Sequence, residues 1–315
     1  MNNTLKLKNT WIGLAKSSLW LITFIVVQML TATAFMLHKI FTDDAYADLY
    51  YCLVKPIYDS TNNIIDRAIQ MTGVMGQLFS NILIPAMLVS NIIIVVIFCI
   101  VINRKSIISL ITGKTTNFKE RKNNFFRNAK EKILSKSCLN FIFLALVLNG
   151  VTSICSIIAQ KLLPENIGIM HNESINLALS GPAILCLIST GILTPIAEEI
   201  IFRYGVKNSL SRISPKFGLI MQAVIFGLMH GNLIQCTYAV IIGYIFGVID
   251  NKYKSIFPSC IMHMVINSSS VILSFIATSA KIEMIGYGIM GMVGMGYLLF
   301  VSQKSPRLLS FYVDK

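Results

Sequence analysis

Charge is the scarcest commodity in this chain: Asp, Glu, Lys and Arg make up 13% of 315 residues, against 55% hydrophobic residues. A mean hydropathy of +0.69 excludes an ordinary soluble domain. Acidic residues are few, 14 against 27 Lys and Arg, leaving a net charge of +13. That excess does not indicate a nucleic-acid binder, because the basic residues lie between apolar runs, where a membrane topology signal places them. No Cys-x-x-Cys spacing occurs among the seven scattered cysteines, so neither a disulfide framework nor a cysteine zinc site is indicated. Internal repeats and low-complexity tracts are also absent. The apolar segments are continuous rather than alternating, which excludes a transmembrane β-barrel.

What is present is a series of uncharged runs, each read as a membrane-spanning helix. The first is Ser17 to Leu37, behind Lys6, Lys8 and Lys16. Ala32-Thr33-Ala34 resembles a signal-peptidase site, but the length of the run favours a retained span. Further spans are expected at about 82–102, 137–160, from about 175 into the glutamate pair and on to about 207, then at 217–230, 233–249, 256–278 and 284–303. Phe217 to Ile249 is uncharged over 33 residues, too long for one span, and Gly231-Asn232 supplies the break. The N-terminus, 104–136, 203–216, 250–254 and the C-terminus are basic. Segments 38–78, 161–173 and 281–283 are mixed or acidic. Eight spans with both termini cytoplasmic satisfy the positive-inside rule at every loop. The expected fold is an all-α polytopic membrane protein, with N-terminal helices in 1–170, a functional core in 171–303 and a tail in 304–315. High Ile, Lys and Asn content points to an AT-rich bacterial source and a plasma-membrane location.

Three short patterns place ionisable groups inside this apolar sequence: Glu198-Glu199-Ile200-Ile201-Phe202-Arg203, Phe226-Gly227-Leu228-Met229-His230 and His263-Met264-Val265-Ile266-Asn267. Charged groups at bilayer depth are costly and read by default as functional. On a helix, residues four apart share a face, so Glu199 can pair with Arg203, and His263 projects with Asn267. An unpaired Glu198 beside them has the setting of a general base. Each pattern has a bland reading too: a helix-end ion pair, a polar helix terminus, or interhelical hydrogen-bonding glue. Two of only four histidines following a glutamate pair in apolar helices make the combination far more specific than its parts.

Together the three patterns resemble the motifs of the CPBP intramembrane proteases, which comprise CAAX-prenyl endopeptidases and bacteriocin-processing or immunity homologues. The resemblance covers about 194–267. It implies an eight-helix fold with a water-filled cavity holding Glu198, His230, His263 and Asn267. Glu198 would activate water, assisted by His230; His263 and Asn267 would stabilise the oxyanion; Glu199 and Arg203 would orient the site. Glu198, His230 and His263 also match a His₂Glu zinc set, so Zn2+ is one option and a metal-free glutamate mechanism the other. The substrate would be a secreted peptide or a lipidated CAAX-like protein. The alternatives are an immunity or binding protein without catalysis and a proton-coupled transporter. One departure is Tyr204, where the family often has glycine; Gly205 follows one position later. Counting helix rise puts Glu198 about 13 Å deep, His263 about 10 Å deep and His230 deepest, so the fifth helix must tilt or start late.

Overall fold

The structure is a computed structural model that describes residues 3–60, 78–80, 82–112 and 137–304. The basic stretch expected over 113–136, part of the 38–78 loop and the 305–315 tail lie outside the described residues. No strand occurs among the described residues, and the architecture is an all-α polytopic membrane bundle. Its helices are α1 (Asn3–Thr42), α2 (Asp44–Ser60), α3 (Leu83–Thr112), α4 (Ser137–Leu162), α5 (Glu165–Ala178), α6 (Ala183–Leu210), α7 (Pro215–Leu228), α8 (Leu233–Tyr253), α9 (Phe257–Ile276) and α10 (Ala280–Lys304).

Seven of these are long and apolar enough to cross a membrane. The exceptions are α2, α5 and α7; of these α7 is an expected span, yet its 14 residues cover about 21 Å against a hydrocarbon core of about 30 Å. Ser214 caps it by accepting the Phe217 N–H, and Pro215 starts it. It ends at Gly231, whose φ of +73° suits glycine, and Asn232 then caps α8 by accepting the Gln235 N–H. The expected break at Gly231-Asn232 is therefore where α7 and α8 turn antiparallel.

The uncharged run Ser174–Ala197 is not one helix, contrary to the expected span from about Ile175. It breaks at Leu179–Pro182, because the residue before a proline is steered out of the helical region and Pro182 can only begin the next helix. The α5 helix is thus a separate element that buries Gly168 and His171. Segment 38–60, expected as loop, is mostly the helix α2, whose Tyr46 and Val54 pack with Leu78 and Ile82.

The central helix α6 is widened twice, by π turns at Leu187–Leu193 and Glu199–Lys207. Pro195 explains the upper irregularity, since it has no N–H to offer the preceding turn. The carbonyls left short of partners are served by α9: Asn267 Nδ2 donates to Thr190 O at 3.2 Å, and Ser268 Oγ donates to Gly191 O at 3.0 Å. The α1 helix packs along the lower part of α6, where Phe24, Phe202, Val206 and Phe226 form one buried core. Tyr204 is absorbed here, edge-on to Phe98 at 4.9 Å and Trp20 at 6.1 Å. Gly205 lies directly under the Trp20 ring. The departure from the motif is accommodated by an aromatic cluster with α1 and α3.

Candidate active site

Glu198 and Glu199 are adjacent on α6 but live in different surroundings. Glu199 is fully buried, with Oε2 3.1 Å from Arg203 Nε and Oε1 3.0 Å from His263 Nδ1. Glu198 faces the other way, lines a cavity of about 690 Å³, and brings Oε2 to 3.5 Å from His263 Nε2. His263 therefore bridges one carboxylate in the protein interior and one at the cavity wall. The pairing of Glu199 with Arg203 and the separate exposure of Glu198 agree with the helical spacing, although the helix here is a π turn.

Arg203 is fully buried, and its terminal guanidinium nitrogens have no hydrogen-bond partner. Its compensation is the Glu199 carboxylate and two aromatic faces, with Cζ 4.4 Å above the Phe226 ring and 5.4 Å from that of Phe246. The sum is a nearly neutral, dry support that fixes the Nδ1 side of His263. Phe226 also lies edge-on to His230 at 4.9 Å, and its carbonyl is 2.8 Å from His230 Nδ1. A carbonyl only accepts, so Nδ1 carries a proton and the Nε2 lone pair of a neutral ring points elsewhere. Phe226 thus walls His230, as its position one turn earlier suggests, and also sets the tautomer.

Glu198, His230, His263 and Asn267 all line the cavity. Asn267 spends one N–H on the Thr190 carbonyl and keeps the other. The zinc set suggested by Glu198, His230 and His263 is not assembled: among the described residues no three His, Cys, Asp or Glu side chains converge to hold a metal ion. The physical reason lies in the directions just given, with Glu198 and His263 facing one another while His230 is tied back to its own helix.

The helices that carry Glu198 and His263 end at unequal levels along the bundle. α6 continues to Leu210, about 18 Å beyond Glu198, whereas α9 begins only about 9 Å before His263. His263 nevertheless meets Glu198, so α9 starts deeper than α6 ends. Below the site, Lys207 is buried against Asp250 and donates to Asn251 Oδ1 at 2.7 Å.

Sequence reasoning missed His171. It is buried in the cavity wall, with Nδ1 3.1 Å from Asn232 Oδ1 and Nε2 3.0 Å from Ser156 Oγ. Asn232 Oδ1 already accepts the Gln235 N–H, so His171 Nδ1 donates and Nε2 accepts from Ser156. Burial holds the His171 ring below its ordinary pKa, against the opposing hydrogen bond to Asn232. This chain of contacts ties α4 and α5 to the turn that carries His230. A histidine in a short polar loop carried no signal of it, since its partners lie 15 and 61 residues away.

Residues 180–269 match the family model described as Type II CAAX prenyl endopeptidase Rce1-like, consistent with the CPBP family. The matched segment runs from the start of α6 into α9 and contains Glu198, Glu199, Arg203, His230, His263 and Asn267. Comparisons with curated proteins and with solved structures returned no match.

Proposed function

We propose that this chain, an integral membrane protein whose 180–269 segment carries an Rce1-like protease domain, is an endopeptidase that hydrolyses a peptide bond within the bilayer by glutamate-activated water. The observation that carries the reading is the division of labour between adjacent glutamates. Glu199 is spent on a buried support, while Glu198 sits at the cavity wall beside His263. A surface ion pair or an interhelical glue would not leave one carboxylate without a Lys or Arg partner at the floor of a chamber of about 690 Å³.

In this cycle a water held between Glu198 and the His230 Nε2 lone pair gives its proton to Glu198. The hydroxide attacks the scissile carbonyl carbon, and the carbonyl oxygen takes the negative charge. The second N–H of Asn267 and the Nε2–H of His263 donate to that oxygen. Glu198 then passes its proton to the departing amine nitrogen as the C–N bond breaks, giving a carboxylic acid and an amine. The substrate in this reading is a secreted peptide or a CAAX-like protein.

The test is turnover of a quenched peptide library by purified protein. Glu198→Gln keeps the shape of the side chain and removes the base, so turnover falls by about 10²–10⁴-fold with unchanged thermal stability. Cleavage that survives Glu198→Gln at wild-type rate overturns the reading.

A further inference from the structure

Charge is distributed unevenly between the two ends of the bundle. Lys207, Arg212, Lys216, Lys252 and Lys254 lie at the end where α6 stops, α7 starts and α8 stops. By the positive-inside rule this is the cytoplasmic end. The opposite end carries α5, the α7–α8 turn and the α9–α10 turn, with the acidic Glu165, Glu173 and Glu283 against Lys161 and Lys281.

The cavity follows this polarity. Its rim includes Asn172 and Asn176 of α5, both exposed, and its floor is Glu198, Phe226 and His263. Beneath the floor the basic end is closed, because Arg203, Lys207, Phe202, Phe246 and Asp250 are all buried. The chamber therefore opens away from the basic loops. Its wall mixes apolar side chains such as Met87 and Ile266 with amides such as Asn149 and Gln235 and hydroxyls such as Ser153 and Thr152.

Among the described residues the wall contains no Lys or Arg, although the whole chain is strongly basic, and its two carboxylates are Glu198 at the floor and Glu283 towards the rim. Glu283 is held in place, with Oε1 accepting from Ser274 Oγ at 3.0 Å and from the Tyr287 hydroxyl at 3.4 Å. Both bonds use the same oxygen, leaving Oε2 for a guest. Ser274 lies 11 residues beyond His263 on α9, about 16 Å along the axis, which an extended peptide covers in about five residues.

We infer that the substrate is a peptide that enters from the membrane face opposite the basic loops, and that Glu283 receives a cationic side chain about five residues from the scissile bond. This rests on the endopeptidase reading above and adds the side of entry, the charge class and the residue that selects it.

The experiment uses the full chain in vesicles of known orientation and a set of quenched peptides. Each carries Lys, Gln or Glu at one position four to six residues from the cleaved bond. Lys is expected to exceed Glu by at least tenfold in kcat/KM at one such position. Glu283→Gln should bring that ratio towards one, and Glu283→Lys should invert it. Because the ratio is internal to each variant, altered expression or folding does not move it. Peptide added outside should be cut by vesicles displaying the acidic face and spared by inverted ones. A ratio unchanged in Glu283→Gln and Glu283→Lys overturns the inference while leaving the protease reading intact. So does cleavage confined to inverted vesicles. Absence of any Glu198-dependent cleavage overturns both.

Discussion

Replacing Glu199 with glutamine would remove the counter-charge of a guanidinium that has nowhere else to go. Arg203 is fully buried and its terminal nitrogens have no hydrogen-bond partner, so the carboxylate 3.1 Å away supplies its principal compensation. At an effective dielectric of about 20 the pair attracts by about 5 kcal/mol, and breaking a buried pair from one side typically costs about 3–5 kcal/mol. Glu199→Gln and Arg203→Met should therefore each destabilise the protein by about that much. The double variant, which buries no unpaired charge, should be less destabilised than the sum by at least about 2 kcal/mol. Reversible denaturant unfolding of the four proteins in mixed lipid–detergent micelles measures this cycle. Single costs below about 1 kcal/mol, as for exposed pairs, or additivity within about 0.5 kcal/mol, would refute the idea that the pair is a desolvated unit.

Other consequences can be checked on the same preparations. His171, kept neutral by burial, has a folded pKa below its ordinary 6.5. The unfolded chain then binds the extra proton first, so the stability this histidine confers is present above about pH 6.5 and is lost as the pH falls below it. Thermal unfolding between pH 7.5 and 5.5 should show a smaller acid-side decline in His171→Gln; an identical decline would exclude His171 as its source. Gly205→Val puts a side chain into the Trp20 ring and should cost about 1–3 kcal/mol, partly recovered by adding Trp20→Ala. Equal losses with and without Trp20→Ala would show that the contact is not the cause. Gly231→Ala imposes a positive φ on a residue with a Cβ in otherwise open space, so about 1 kcal/mol of strain is expected, read as a lower Tm without change in the oligomer profile.

The sequence exposed some features of this molecule more readily than others, and the difference has physical causes. Long uncharged runs and the i, i+4 pairing of Glu199 with Arg203 are local, so they could be read directly. The break at Leu179–Pro182 was hidden because hydropathy does not change there; Pro182 was the cue. Pro195 is a local cue to the irregular turn of α6 that the sequence reading did not use, and only the fold could show that Asn267 and Ser268 serve the freed carbonyls. The contact of His263 with both glutamates joins residues more than 60 positions apart, a distance no helical periodicity encodes. The same holds for His171, whose partners come from α4 and the α7–α8 turn.

A chamber that admits water from one side is electrically half a channel. Where water penetrates, the dielectric is high and little of the membrane voltage is dropped, so most of the field falls across the dry layer beneath Glu198. That layer is the packed set of Phe202, Phe226 and Phe246 around Arg203, with Lys207 and Asp250 below it. Carrying one charge through it against 100 mV involves about 2.3 kcal/mol on top of the desolvation cost, a barrier the aromatic packing keeps intact. Loosening that packing, for instance by trimming Phe246, would threaten the cell with a proton leak before it threatened catalysis.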